Sequence, residues 1–339
     1  MSKSVNAFAS MTVVLSFLAV VIYTPNLTFG QSSSYFDNYR TNPSMSSSPN
    51  TNNSDGITQT SKINSKTVHQ STTKTNATTT AIANRVAKPA AIVVDKFGIK
   101  KLYPTKKGGR EWYINMDNPK NDSIFHIGSG QKLIRQIDGS WSNTNPQVRM
   151  HVSTPPGLSM WKNVEITGYV KVTSIDRHNK DIPIDIAWLA RGDIHNDHIR
   201  CDGTALNGGI HNDGTVGWKK EIWFPGGYTD ELAHTKVTGP IVGRWIGWKV
   251  VIYNINNDSA VKMESYLDDN NTNHWIKVTD LTDDGGWYAN SSDKEFYSAE
   301  CGKPKDNVLT NAGPIVAFRS DNMIADFTHL SVREIQPFS

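Results

Sequence analysis

Ten side chains able to bind an anion or move a proton crowd between residues 188 and 228: Arg191, His195, His198, Arg200, Asn207, His211, Lys219, Lys220, Glu221 and Tyr228. Guanidinium and amide groups neutralise a carboxylate, imidazole takes a proton near neutral pH, and a phenol or ammonium can return one. As a set they suit an acidic sugar.

The segment 201–224, CDGTALNGGIHNDGTVGWKKEIWF, reads as a hairpin that would position several of them. A two-residue turn at Asp213-Gly214 sets Asn212 opposite Thr215. It then pairs His211 with Val216, Gly209 with Trp218, Asn207 with Lys220 and Ala205 with Ile222. On that register Asn207, His211, Trp218 and Lys220 share one face, with Trp218 as an exposed aromatic platform for a sugar ring. Leu206, Ile210, Lys219, Glu221 and Trp223 take the other face. A bulge at Gly208-Gly209 would swap the faces beyond it. The competing reading makes Lys219, Lys220 and Glu221 a solvated charge cluster on an outer sheet. His195 and His198 fall in the polar loop RGDIHNDHIRCDG, where H-x-x-H with Asp193 and Asp197 is conceivable for zinc, although no H-E-x-x-H is present.

The elements that must carry these residues are strands. Short alternating runs bounded by Gly, Pro, Asn or Asp recur from residue 111 to 335, among them WKNVEITGYVKV, IPIDIAWLA, WIGWKVVIYNI, VKMESYLD, GPIVAFRS and IADFTHLSVREI. Helical periodicity is absent, so the expected fold class is an all-β antiparallel sandwich. In VKMESYLD, Val261, Met263, Ser265 and Leu267 face inward, while Lys262, Glu264, Tyr266 and Asp268 face solvent.

Composition divides the chain into three expected segments. Residues 1–30 read as a signal peptide, with Lys3 ahead of an apolar stretch from Met11 to Tyr23 and small residues at Thr28 and Gly30. The apolar run is short of the roughly 20 residues a spanning helix needs, and an uncleaved anchor is the alternative. Residues 31–89 are a Ser/Thr/Asn-rich linker expected to be disordered, because they cannot bury enough apolar surface to offset ordering entropy. Residues 90–339 hold all ten tryptophans and form the folded domain. The expected location is therefore extracellular or at the cell surface.

The whole chain carries a net charge of +3, but the segments before residue 90 are basic, and 28 Lys/Arg meet 30 Asp/Glu after it. A nucleic-acid-binding face loses its main support. Walker A, strand-linked GxGxxG, GxSxG and zinc-ribbon patterns are all missing, which sets aside nucleotide cofactors and serine hydrolysis. Cys201 and Cys301 are an even pair in a chain read as secreted, and a disulfide between them would close a loop of about a hundred residues.

The order WKVVIYNI, VKMESYLDDNNTNHWIKVTDL and DNMIADFTHLSVREI resembles the concanavalin A-like lectin/glucanase jelly roll, over most of residues 92–336. The resemblance implies two curved antiparallel sheets with ligand on the concave one. It also implies a lectin, a glycoside hydrolase, a polysaccharide lyase or a laminin-G-like adhesive module. The E-x-D-x-E strand of the glucanases is absent, with Glu264 and Asp268 the nearest pair. The motifs R-S-E-L-R, Q-[IV]-H and Y-F-K-A-G of the alginate-lyase-like members are absent too.

For a lyase, β-elimination needs a carboxylate neutraliser, a base and an acid. Arg191 and Asn207 would serve as the first, His211 or His195 as the second, and Tyr228 or Lys220 as the third, with Trp218 and Glu221 as substrate contacts. The alternative function is a non-catalytic lectin or adhesive module, and in either case the expected partner is a polysaccharide or cell-surface glycan. The oxygen-rich loops LDDNNTN and LTDDGGW, with Asp326, suggest a structural calcium, as jelly rolls of this type often hold.

Overall fold

The computed structural model describes residues 92–178, 185–192, 203–222, 228–288, 301 and 303–338. Fifteen strands are formed among them: β1 Glu111–Tyr113, β2 Phe125–Ile127, β3 Leu133–Arg135, β4 Trp141–Asn143, β5 Val148–Ser153, β6 Val164–Ile175, β7 Asp185–Gly192, β8 Ala205–His211, β9 Thr215–Glu221, β10 Leu232–Lys236, β11 Trp245–Ile255, β12 Ala260–Asp268, β13 Ile276–Asp283, β14 Ile315–Asp321 and β15 Met323–Glu334. They build two sheets. One runs β13-β12-β11-β6-β15-β4-β3 with β1 added to β15, and the other runs β10-β9-β8-β7-β14-β5-β2. Every strand pair is antiparallel, for instance β11 with β12 and β14 with β5. The expected all-β jelly-roll sandwich is what these sheets form.

Alternation along each strand makes the core. Val148, Met150 and Val152 of β5, Trp188 of β7, Trp218 of β9, Trp248 of β11 and Phe318 of β14 meet between the sheets with essentially no solvent contact. Indoles also stitch the layers together through their N–H groups. The Trp188 Nε1 donates to the Trp248 carbonyl at 2.9 Å and the Trp248 Nε1 to the Gly208 carbonyl at 3.2 Å. Gly208 permits this approach, since a Cβ there would lie 2.6 Å from Val250 Cγ2.

The outer face of the eight-stranded sheet is covered over its middle. The alternation expected in VKMESYLD holds, but Glu264 and Tyr266 are buried beneath the segment 97–103, in a second apolar cluster of Ile99, Tyr103, Tyr169, Val251, Tyr266, Trp275 and Ile335. Glu165 lies in the same layer, with Lys249 Nζ at 2.8 Å and Arg333 NH2 at 2.6 Å. Burial alone would raise the Glu165 carboxyl, yet its two cations hold it below the usual range.

The hairpin between β8 and β9 departs from the expected register by one residue. Ala205 faces Glu221, Asn207 faces Lys219, Gly208 faces Trp218 and Gly209 faces Gly217. The turn has three residues rather than two: the Gly214 N–H donates to the His211 carbonyl at 2.9 Å, and Gly214 takes a left-handed φ of 90°. This is the type I turn closed by a left-handed glycine that three-residue hairpins favour. Because side chains alternate with period 2, the single step turns β9 over. Trp218 and Lys220 therefore point into the core, and Lys219 and Glu221 point out.

Lys220 survives inside because Asp283 meets its Nζ at 3.0 Å and the Asn307 carbonyl at 2.9 Å. Burial pushes lysine down and aspartate up, toward their neutral forms, and the pair opposes both shifts. Removing one partner leaves an uncompensated charge in a closed interior. Lys220→Ala is expected to lower the free energy of unfolding in urea by about 3–5 kcal/mol, whereas Lys220→Met combined with Asp283→Leu should recover most of that loss. Equal losses in the single and double variants would count against the pair as the reason Lys220 is tolerated.

Candidate functional site

The candidate site is the outer face of the seven-stranded sheet. Cross-strand pairing places Arg149 and His151 of β5 beside Arg319 and Ala317 of β14. Next come Ala187 and Asp185 of β7, then Gly209 and His211 of β8, then Gly217 and Lys219 of β9. The centre of the face is small: Ala187, Ala205 and Ala317 group with Leu189, and two glycines flank them. Charged and hydrogen-bonding groups surround this floor.

Tyr228 and Arg319 reach toward each other across it. Tyr228 bridges Glu221 at the end of β9, and β8 and β7 lie between it and β14. Its hydroxyl accepts a hydrogen bond from Arg319 NH1 at 3.0 Å. Burial holds the phenol well above its usual range, against the opposing charge of Arg319. Arg149 NH2 lies 2.8 Å from the Asp321 carboxylate, which Arg319 also contacts. Asp321 is the Cα partner of Asp185. Burial first, and then the Asp321 charge, raise the Asp185 carboxyl, whose Oδ1 has no hydrogen-bond partner. One of two adjacent carboxylates is thereby favoured as the neutral acid.

His151 sits on the same face, with His126 of β2 as its cross-strand partner. Burial, the Arg149 charge and His126 together push its imidazole down to about 4. The ring is neutral at ordinary pH and able to take a proton. Asn207 is buried on this face with its Oδ1 lacking a partner, so it has an acceptor to spare.

Four of the expected residues are therefore brought together here: Asn207, His211, Tyr228 and Glu221. Three are not. Trp218 is a core residue whose Nε1 donates to Thr279 Oγ1 at 2.9 Å, so it offers no exposed platform. Lys220 is spent on Asp283. Arg191 is turned off the face at a bulge opposite β14, with φ of 59°, and its NH1 donates to the Leu309 carbonyl at 2.6 Å. Burial brings that guanidinium down to about 10. His195 and Cys201, and with it the Cys201–Cys301 bridge, lie outside the described residues. Arg149, His151 and Arg319 were absent from the expected set. The strict alternation in VRMHVS of apolar Val148, Met150 and Val152 with polar Arg149, His151 and Ser153 is the signal that finds the first two.

The loops suspected of holding calcium spend their carboxylates on protein donors. Asp268 accepts from Tyr169 Oη, Thr272 N and Asn273 N, Asp283 pairs with Lys220, and Asp326 lies 2.9 Å from Lys171 Nζ. A hollow of about 250 Å³ beside Tyr169, Trp245 and His329 opens on the other sheet. Its aromatics are already engaged, Tyr169 by Asp268 and Trp245 by the Lys171 ammonium.

No protein-family model matches the sequence, and no curated protein matches it. Among solved structures, the Ca2+-bound exoplasmic/lumenal domain of VIP36 is 12% identical with a TM-score of 0.39, over 66% of this chain and 88% of that one. A Lotus tetragonolobus seed lectin is 9% identical with a TM-score of 0.36, over 68% of this chain and 100% of that one. Alginate lyase vAL-1 from a Chlorella virus is 9% identical with a TM-score of 0.37, over 66% and 98%. At these values the likenesses carry no argument about ligand or reaction.

The depressed imidazole has a consequence for stability. An unfolded histidine titrates near about 6.5, and folded His151 near about 4. Between those values the unfolded chain binds the proton and the folded chain does not, so stability is intact above the window and falls as pH drops through it. Urea midpoints should decline on acidification across that range with a shallower slope in His151→Gln, and the His151 ring protons should keep their neutral-form NMR shifts at about pH 6. Ring protons that titrate with the ordinary midpoint would contradict the depressed imidazole.

Proposed function

We propose that this protein is a secreted jelly-roll protein acting on an acidic polysaccharide, which it cleaves by β-elimination on the outer face of the seven-stranded sheet. The observation that carries the reading is the contact between the Tyr228 hydroxyl and Arg319, made over a floor of alanine and glycine. It sets a proton donor and a fixed positive charge at one point of the face.

The residues divide the reaction as follows. Arg319 receives the uronate carboxylate and favours the charge that develops when the α-carbon loses its proton. His151, neutral, accepts that proton. The electron pair forms the C4–C5 double bond, the C4–O bond breaks, and Tyr228 protonates the departing oxygen. Its raised phenol is kept protonated for that role. Solvent restores the two proton carriers. Tyr228 keeps the part assigned from the sequence, while Arg319 takes the place of Arg191 and Asn207, whose Nδ2 donates to the Ala205 and Lys219 carbonyls, and His151 that of His211 or His195. Glu221, bridged to Tyr228, is retained as a substrate contact.

The full chain incubated with alginate, pectate or glucuronan should generate the ultraviolet absorbance of an unsaturated uronate. Tyr228→Phe should lower that rate by about 10²–10⁴-fold while leaving polysaccharide binding largely intact. A flat trace across the acidic panel with retained glycan binding would replace the lyase by a lectin-like module. A Tyr228→Phe enzyme as fast as the parent would remove the phenol from the mechanism.

A further inference from the structure

We propose that His211, Glu231 and His234 form a binding site for a divalent transition-metal ion, zinc first among them, at the rim of the same outer face. One ligand atom from each of these side chains lies within 4.8 Å of the others, the one such trio among the described residues. His211 Nε2 is 2.9 Å from Glu231 Oε1, and the two imidazoles meet edge to face at 5.7 Å and 77°, aimed together rather than stacked. Two imidazoles and one carboxylate are a donor set that zinc takes in tetrahedral geometry with a fourth position left open.

Three local departures from regular sheet geometry converge on this trio. β10 carries a bulge against β9, where the register steps from Leu232↔Trp218 to Thr235↔Val216 and two residues oppose Gly217 alone. Ala233 within it takes a φ of 52°, a left-handed conformation that costs a residue with a Cβ free energy. Its side chain packs against the core, and the extra residue re-aims His234 toward the outer face. Gly217 is the third departure. A Cβ there would come within 2.6 Å of Glu231 Cδ, so only glycine lets that side chain lie across β9 to reach His211. Lys219 Nζ stands 3.5 Å from the other oxygen, Glu231 Oε2, leaving Oε1 for the metal. A salt bridge alone would need neither the bulge nor the bare glycine.

The inference is independent of the polysaccharide reading, because it is tested without substrate. The full chain, purified without a histidine tag and stripped with a chelator, is titrated with Zn2+ by calorimetry and with Co2+ by visible absorption. One equivalent of Zn2+ should bind, and Co2+ should give the visible bands of a low-coordinate site. His234→Ala, an exposed position whose loss should leave the fold intact by circular dichroism, should weaken binding by at least about tenfold. Gly217→Ala, which displaces Glu231, should do the same. The proposal is overturned if the parent chain binds no Zn2+, or if folded His234→Ala binds it as tightly as the parent.

Discussion

In an antiparallel hairpin the number of residues in the turn decides the parity of everything that follows, because each step of one residue exchanges the two faces. Here the left-handed Gly214 closes a three-residue turn, and the loop that follows β10 packs onto it, with Ile241 N–H donating to the Asn212 carbonyl. From that turn outward, Val216, Trp218 and Ile222 go to the core while Gly217, Lys219 and Glu221 line the outer face. The rest of the outer surface depends on this choice. Gly217 makes room for Glu231, and Glu221 receives the segment that delivers Tyr228 to Arg319.

The same parity also creates a burden, a lysine in the hydrophobic layer, which the protein meets with a single opposing carboxylate on β13. The opposite sheet handles its interior charges with more redundancy. Lys249 and Arg333 share Glu165, backbone N–H groups of Leu102 and Tyr103 add to it, and the Trp275 ring lies under the Lys249 ammonium at 4.5 Å. Buried charges satisfied this fully hold the segment around Tyr103 in one position, since any displacement would leave an ion unpaired in a low-dielectric layer.

The sandwich was legible in the sequence because period-2 alternation is written into most of its strands. The parity of β9 was legible too, for Val216, Trp218 and Ile222 alternate as core residues do. The obstacle was that Asn212-Asp213-Gly214 suits both a two-residue and a three-residue turn, and Lys220 occupies a core position where the pattern expects an apolar group. Asn207, His211, Glu221 and Tyr228, picked out by residue type, lie on one face, since clustered polar groups near a turn remain clustered after folding. Arg319 was beyond reach, because only long-range pairing of β14 with β5 and β7 brings segments so far apart in the chain onto one surface. Arg191 misled because its strand bulges where the alternation predicts a regular step. A bulge leaves no mark in residue types when the inserted position is not glycine.

The segment around Ile99 and Tyr103, which roofs the eight-stranded sheet, also fixes the polarity of the particle. The chain enters the folded body across that roof, on the side opposite the floor of Ala187, Ala205 and Ala317. The first described residues therefore lie behind the body, and the outer face of the seven-stranded sheet is left clear of them.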